Sequence, residues 1–404
     1  MSICSEIVVV GGGQAGFQLV SSLRAHGFDG AVRLVCDEPS LPYQRPPLSK
    51  AFLSGEVFAD ELSFATAEFY RDESIDVIED RAVAIDPARR TIRLASNAEL
   101  GYDRLVLATG ARNRRMSGFE DVAGVLSLRT LADAMELRER LLSEGNIVIV
   151  GGGFLGLEVA SVCADLGVSV CVVEAMPRLM ARGVSETVSQ VFQQRLEERG
   201  VRFMLGVAGL GLRLDGRRVV GVEADGQLLK TNLVLTCIGI IANTELAAEA
   251  GLSTGNGILT DGYLRTTDPS IYAIGDCAAH PNPYCGATVR LESVQNAVDQ
   301  ANCVASGVVG EAQTYRSLPW FWTEQAGMKL QIAGISSTAD PTIVRGDLQA
   351  GAFSIFHFHD QVLVSVESVN RPTDHMLARK ILRSERKISP EALSEMLGPV
   401  APSA

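Results

Sequence analysis

The chain has 404 residues, of which 47% are hydrophobic and 21% charged, and its formal net charge is −12 at pH 7. This composition is typical of a globular protein of two or three domains and argues against an intrinsically disordered chain. The negative charge disfavours nucleic acid and anionic membranes as partners, because neither is attracted to the average surface. The sequence lacks the apolar stretch of about 18 residues that a membrane span needs, so we expect a cytoplasmic protein with no membrane partner.

A glycine turn occurs twice, each time directly after an apolar strand pattern. Its sequence is GGGQAG at 11–16 and GGGFLG at 151–156. Both copies contain the pattern Gly-x-Gly-x-x-Gly. Its first glycine permits the tight turn, its second lets backbone approach a pyrophosphate, and its third lets the helix pack on the strand. The N-terminus of that helix presents N–H groups to the phosphates. We therefore expect the chain to bind two dinucleotides.

The elements around both copies follow the same order. Strand, helix and strand are predicted at 7–10, 17–26 and 32–36 in the first copy and at 147–150, 157–166 and 168–173 in the second. Asp37 and Glu174 follow, about 20 residues past the glycines, where an acid receives the ribose hydroxyls. Glu174 would also repel a 2′-phosphate, which favours NADH over NADPH. Arg178 and Arg182 weaken this prediction, and an exposed acid at a helix start is the alternative.

The rest of the pattern predicts how the domains are connected. Each copy ends with a similar apolar strand, at 105–110 in the first and at 233–239 in the second. A further strand within 267–276 would then return the chain to the first copy. After 319 the pattern is β-rich, with strands at 330–333, 342–345, 353–359 and 362–369 and a helix near 374–383. We predict an α/β fold with two Rossmann-like domains, the second inserted in the first, and a C-terminal α+β domain. The expected segments are 1–112, 113–237, 238–316 and 317–404.

Three groups of residues allow more than one interpretation. Arg379, Arg383, Arg386 and Lys387 belong to a basic stretch and would share one helix face, either a solvated face or a docking surface. His357 and His359 alternate on a strand, but they lack further ligands, so we predict no metal. The eight cysteines form no CxxC pair, which argues against zinc and Fe–S clusters, and we expect them to be reduced and mostly buried.

Taken in order, these motifs resemble the glutathione-reductase-type flavoprotein fold and, more narrowly, bacterial NADH:ferredoxin reductases of the putidaredoxin reductase type. The resemblance covers essentially the whole chain. Its signatures are RPPLSK at 45–50, ATG at 108–110, GGGFLGLE at 151–158, AIGDC at 273–277, ESVQNA at 292–297, PWFW at 319–322 and VNRP at 369–372.

The resemblance implies FAD in the first domain and NADH in the second. The FAD contacts that it implies are Gly11, Gly13 and Ala15 at the pyrophosphate, Asp37 on the ribose, Pro46 and Lys50 in the RPPLSK motif, Val83 by the adenine, and Arg129, Asp276 and Val294 on the rest of the flavin. A helix N-cap is the alternative role for Asp276. The NADH contacts that it implies are Gly151, Gly153, Phe154, Gly156, Glu158, Glu174 and Gly239, with Phe154 as an aromatic gate or, alternatively, a core residue.

The resemblance also implies three residues at the catalytic centre: Lys50, Glu158 and Trp320. Lys50 and Glu158 would pair beside flavin N5, where an ion pair tunes the site, whereas a surface lysine and a helix glutamate are the alternatives. Trp320 would cover the exposed edge of the flavin. Trp320 and Trp322 are equally compatible with a domain interface.

The absence of one cysteine pair distinguishes this sequence from the disulfide reductases of the same fold. Disulfide reductases of this fold carry a Cys-x4-Cys pair after the first ribose-binding strand, but here 41–48 contains no cysteine. The resemblance then implies an FAD-dependent NADH:ferredoxin reductase with a transiently bound, acidic [2Fe–2S] ferredoxin that serves a cytochrome P450 or a ring-hydroxylating oxygenase. Two alternatives stay open: an NADH oxidase or small-acceptor reductase, and an NADH-sensing interaction protein similar to apoptosis-inducing factor.

Overall fold

The computed structural model describes residues 4–337, 339–384 and 386–397. Its strands are β1 (Glu6–Val10), β2 (Ala31–Cys36), β3 (Ile75–Glu79), β4 (Ala82–Asp86), β5 (Thr91–Leu94), β6 (Glu99–Gly101), β7 (Arg104–Leu107), β8 (Ala111–Asn113), β9 (Val125–Ser127), β10 (Asn146–Val150), β11 (Ser169–Glu174), β12 (Arg202–Leu205), β13 (Leu210–Asp215), β14 (Arg218–Ala224), β15 (Gln227–Lys230), β16 (Val234–Thr236), β17 (Ile240–Ala242), β18 (Thr254–Gly255), β19 (Gly257–Leu259), β20 (Ile271–Ala273), β21 (Ala278–Asn282), β22 (Ala287–Val289), β23 (Trp320–Gln325), β24 (Met328–Gly334), β25 (Thr342–Asp347), β26 (Ala352–His359) and β27 (Val362–Val369). Its α-helices are α1 (Gln14–Ala25), α2 (Ala51–Ser54), α3 (Ala67–Asp72), α4 (Leu131–Glu144), α5 (Phe154–Asp165), α6 (Glu186–Glu198), α7 (Glu245–Glu249), α8 (Val294–Val308), α9 (Pro372–Arg383) and α10 (Pro390–Leu397). Short 3-10 turns lie at Pro46–Ser49, Ala59–Leu62 and Gly275–Cys277. None of the helices in the described ranges has the length and apolarity of a membrane span.

The chain forms two compact units. Unit 1 comprises the residues up to Arg45, Asp60–Arg112 and Ile241–Pro319, and unit 2 comprises Pro46–Ala59, Asn113–Ile240 and the residues from Trp320 onward. Residues 46–59, which we expected in the first segment, pack into unit 2 instead. The division into four functional segments itself stays a prediction.

Unit 1 is built on a parallel sheet in the order β20-β7-β1-β2-β3. Both faces of its central strand are buried: Ile7 and Val9 pack into one apolar cluster, which includes side chains of α1 and α8, and Val8 and Val10 pack into another. A strand buried on both faces is a continuous apolar run, which explains the pattern of β1. Smaller sheets, β4-β5-β6 and β18-β19-β21-β22, complete this unit.

Unit 2 repeats the parallel arrangement and adds an antiparallel sheet. Its parallel sheet has the order β12-β11-β10-β16-β9, so β10 has the same kind of neighbours as β1. The last part of the chain forms the sheet β23-β24-β27-β26-β25, against which α9 packs. The predicted fold class, two Rossmann-like domains and a C-terminal α+β domain, is confirmed.

Several predicted elements have different limits in the structure. Helices α1 and α5 begin three residues earlier than expected, because each starts directly after the extended glycine of its turn. Trp320 and Trp322 lie on a strand, β23, that the sequence pattern did not predict.

The last glycine of each turn, Gly16 or Gly156, lies where no side chain fits. A Cβ atom on Gly16 would be 1.9 Å from the carbonyl oxygen of Gly11, and one on Gly156 would be 2.2 Å from that of Gly151. By contrast, a Cβ atom on Gly153 would meet nothing within 4 Å. The close contact holds the helix against the strand and thereby fixes where the helix begins.

We expect Gly156→Ala to destabilise unit 2 by about 1–3 kcal/mol, because its methyl group would overlap backbone that cannot move aside. Gly153→Ala is the matched control, and its thermal midpoint is expected to stay near that of the wild type. Thermal unfolding followed by circular dichroism compares the two variants. Equal midpoints would contradict the argument from close packing.

Candidate active site

The first glycine turn leaves the beginning of α1 open. Gly13 is the N-cap of this helix, and no side chain makes a capping hydrogen bond there. A Cβ atom on Gly12 would lie 2.4 Å from Sγ of Cys36, the last residue of β2, so the turn lies beside the residue that precedes the exposed Asp37. An open helix N-terminus binds phosphate through its N–H groups, which fits a dinucleotide.

The turn that carries Asp276 lies against the same helix. A Cβ atom on Gly275 would be 3.0 Å from Cβ of Ala15. The N–H of Gly275 donates to Oε1 of Gln300 at 2.7 Å, and the carbonyl oxygen of Asp276 accepts from Arg290 at 3.0 Å. Unit 1 therefore brings Ala15 and the Asp276 turn together, and it holds that turn with two side chains that the sequence did not predict.

The other predicted FAD residues are divided between the units. In unit 1, Val83 lies half-buried on β4, and Val294 is the first residue of α8. Pro46 and Arg129 belong to unit 2. The Pro46 carbonyl oxygen accepts from Nζ of Lys50 at 3.3 Å, and the N–H of Arg129 donates to Asp133 at 2.8 Å.

In unit 2, the acidic residue that was predicted beside the second glycine turn is hydrogen-bonded to that turn. Gly153 is the N-cap of α5 without a side-chain hydrogen bond, although α4 and α6 in the same unit have side-chain caps. Glu174, the last residue of β11, accepts from the N–H of Gly152 at 2.6 Å and from the N–H of Met176 at 2.7 Å. The carboxylate thus lies at the turn, where a ribose hydroxyl is expected.

The backbone after β16 lies against this turn. A Cβ atom on Gly151 would be 2.3 Å from the carbonyl oxygen of Cys237, whose N–H donates to Val150 at 2.7 Å. Gly239, two residues further along, has a φ of 100°. Gly151 and Gly239 therefore lie at one edge of the parallel sheet, which is compatible with the predicted nucleotide site.

The two arginines that follow Glu174 have different surroundings. Arg178 donates to the carbonyl oxygens of Ala181 at 2.8 Å and Val184 at 3.0 Å, whereas Arg182 is exposed. The guanidinium of Arg178 is therefore held by its own loop.

Glu158 is buried, with 7% of its surface exposed, and three side chains donate to its carboxylate. Nζ of Lys50 and Oγ of Ser49 both lie 2.6 Å from Oε2, and Oγ1 of Thr323 lies 2.6 Å from Oε1. The structure thus brings together Lys50 and Glu158, which the resemblance had paired. Ser49 and Thr323 were not predicted, since nothing in the local sequence indicates a partner that is more than a hundred residues away.

Aromatic side chains lie on both faces of β23. The ring of Phe321 packs on Phe154, with centroids 4.7 Å apart, and a Cβ atom on Gly183 would be 2.9 Å from the Phe154 ring. On the other face Trp320 and Trp322 lie 5.5 Å apart, and the guanidinium of Arg379 lies 4.3 Å from the centre of the Trp320 ring.

The prediction that four basic residues share one helix face is wrong. Helix α9 ends at Arg383, so Arg386 and Lys387 lie beyond it, and Glu385 lies outside the described residues. Arg379 is half-buried over Trp320, while Arg383 is exposed. The exposed face of α9 instead carries Met376, Lys380 and Arg383, which we call the α9 surface.

The two histidines of β26 have separate partners. Nε2 of the buried His357 lies 3.6 Å from Glu367, and the exposed His359 contacts Asp340 at 2.9 Å, which raises the pKa of His359. Within the described ranges no group of three or more potential metal ligands is found.

All eight cysteines lie among the described residues and are free. Four are buried, three are partly buried and Cys285 is exposed, so fewer are buried than we expected. Burial raises the pKa of Cys36 and of Cys237 to about 12, which keeps both as thiols at neutral pH.

Known proteins resemble this chain over nearly its whole length. The family described as "Pyridine nucleotide-disulphide oxidoreductase" matches residues 5–301, and that described as "Reductase C-terminal" matches residues 320–398. Rhodocoxin reductase of Rhodococcus erythropolis is 45% identical, over 96% of this chain and 92% of its own.

Two solved structures have the same fold. The ferredoxin reductase for the CYP199A2 system from Rhodopseudomonas palustris superposes with a TM-score of 0.93 at 43% identity, over 96% of both chains. The covalent putidaredoxin reductase–putidaredoxin complex matches with a TM-score of 0.93 at 34% identity, again over 96% of both chains. The chain belongs to the pyridine nucleotide-disulphide oxidoreductase family and is a flavoprotein oxidoreductase with FAD and NADH as its cofactors.

Proposed function

We propose that this protein takes electrons from NADH and passes them to a small [2Fe–2S] ferredoxin in the cytoplasm. The ferredoxin would in turn supply a cytochrome P450 or a ring-hydroxylating oxygenase. When bound, FAD would supply an acceptor for the hydride of NADH and a carrier from which electrons leave singly. The observation that carries the choice of acceptor is the basic α9 surface beside Trp320, on a protein whose net charge is −12.

The α9 surface has the chemistry of a transient docking site for an acidic protein. Met376, 69% exposed, is spaced four and seven residues from Lys380 and Arg383, so the three side chains share one helix face. A small apolar contact with charges around it suits weak, fast association between electron-transfer partners. Arg379 covers the Trp320 ring and therefore belongs to the same region of unit 2.

The cysteines support a one-electron acceptor over a disulfide. Cys36 is the cysteine next to the first glycine turn, and burial holds it as a thiol. Disulfide reduction needs an accessible thiolate, because the thiolate is the attacking form.

Glu174 is proposed to select NADH. Its carboxylate is fixed on the glycine turn by two backbone N–H groups, where it can accept from a ribose 2′-hydroxyl and repel a 2′-phosphate. Arg178, which would favour a phosphate, is held by the carbonyl oxygens of its own loop.

The purified protein is expected to be yellow and to hold one FAD per chain, because the first turn offers an open helix N-terminus beside Asp37 and the Asp276 turn. Releasing the flavin by heat and identifying it by chromatography measures this. FMN, or no flavin at all, would contradict the proposal.

Replacing Glu174 by Gln is expected to narrow the preference for NADH over NADPH by about tenfold, since the charge that repels a 2′-phosphate is removed while an oxygen acceptor remains. Stopped-flow flavin reduction with each nucleotide gives the ratio. Glu186→Gln, an exposed neutralisation at the start of α6, is the control and should leave the ratio unchanged. A wild type that reacts equally fast with both nucleotides would refute the role of Glu174.

Arg383→Glu is expected to raise the KM for an acidic [2Fe–2S] ferredoxin by about three- to tenfold at low salt, because a steering charge has been reversed. The difference in KM between the variant and the wild type should disappear near 1 M salt, where the Debye length is about 3 Å. Lys230→Glu on β15 makes the same charge change away from α9 and should have no such effect. Flavin reduction by NADH should be unaltered in both variants, and an unchanged ferredoxin KM would show that α9 presents a solvated face.

A further inference from the structure

Strand β23 lies along helix α5 in a fixed register. The contacts, in order, are Phe321 on Phe154, Thr323 on Glu158 and, directly after the strand, the N–H of Ala326 on Oγ of Ser161 at 2.8 Å. On the helix these partners are spaced four and three residues apart, which is the spacing of one helix face. Thr323 is therefore held in place by contacts on both sides of it.

Among the residues that the structure describes, Thr323 is the side chain that donates to Oε1 of Glu158. Thr323 is completely buried, and Glu158 is 7% exposed, so water does not reach the contact freely. The other two donors, Ser49 and Lys50, both approach Oε2, which leaves Thr323 as the donor to Oε1. A buried carboxylate oxygen that loses its donor is costly, so the carboxylate would turn towards its remaining donors.

We propose that Thr323 is a positioning residue that holds Glu158 so that its other oxygen stays on the ammonium group of Lys50. This inference rests on the proposed function and on the expectation, implied by the family resemblance, that Lys50 and Glu158 pair beside flavin N5. The Thr323 hydroxyl points the positive end of its dipole at the carboxylate, so its removal makes the surroundings of the pair more negative. A more negative environment disfavours the arrival of electrons.

Thr323→Val removes the donor at nearly constant volume, and Thr323→Ser keeps it. We expect Thr323→Val to lower the rate constant of flavin reduction at saturating NADH about tenfold, while the Kd for NADH stays within twofold of the wild type. The flavin midpoint potential should shift to a more negative value. Thr323→Ser is expected to stay within threefold of the wild-type rate.

Two further comparisons separate positioning from a general loss of packing. Thr231→Val removes another buried threonine hydroxyl of unit 2, one that donates to Leu233, and should leave both the rate and the potential unchanged. In a Glu158→Gln background, Thr323→Val should have little further effect, because both changes act through one carboxylate. Should the valine variant not fold, Thr323→Cys, whose thiol is a weak donor, is expected to change the rate and the potential in the same direction.

The outcomes distinguish this inference from the proposed function. Wild-type protein that holds no FAD, or whose flavin NADH does not reduce, would overturn the proposed function. A normal wild type with Thr323→Val, or Thr323→Cys in its place, at the wild-type rate and potential would overturn the positioning role alone. Equal losses in the valine and serine variants, or an undiminished loss in the Glu158→Gln background, would also overturn that role.

Discussion

Close approach of backbone to backbone at the start of α1 and of α5 is the constraint on which both proposed nucleotide sites depend. The last glycine of each turn lies close to the carbonyl oxygen of the first, so the helix packs closely on its strand and begins directly after the turn. The N–H groups of a first helical turn have no partner within the helix and need one from outside it. At α4, α6 and α8 side chains supply such a partner, whereas at α1 and α5 the turn leaves room for a phosphate.

Strand β23 carries two separate sets of side-chain contacts within unit 2, one on each face. Successive side chains of a strand point to opposite faces, so Phe321 and Thr323 face α5, while Trp320 and Trp322 face the other way. One face thus holds the Lys50–Glu158 pair, and the other carries the aromatic rings beside α9. Because both faces belong to the same short backbone segment, a displacement of the strand would disturb the two sets of contacts together.

The sequence predicted what has a local signature. The glycine turns, the acid after each second strand and the strand–helix order all repeat at fixed spacing, and the structure has them with small shifts of the ends. The donors to Glu158 had no such signature, because Thr323 is 165 residues from it along the chain. The helix near 374–383 was predicted with the right end, but the basic face was extended too far: Arg386 and Lys387 keep the helical period, whereas Ser384 is extended and ends α9 at Arg383.

Arg379 has different surroundings from the exposed residues Lys380 and Arg383 of the same helix. The planar guanidinium of Arg379 lies over the indole ring, where contact with the π face offsets part of its lost hydration. A cation held in this way has little freedom to follow an approaching partner. Lys380 and Arg383 follow Arg379 by one and four residues on α9, are exposed, and keep their long side chains in water. Their field extends about one Debye length, roughly 8 Å at physiological salt, so it would act on the proposed acidic partner before contact. Covering the tryptophan and the proposed steering of the partner therefore fall to different residues of one helix, and each can be changed without the other.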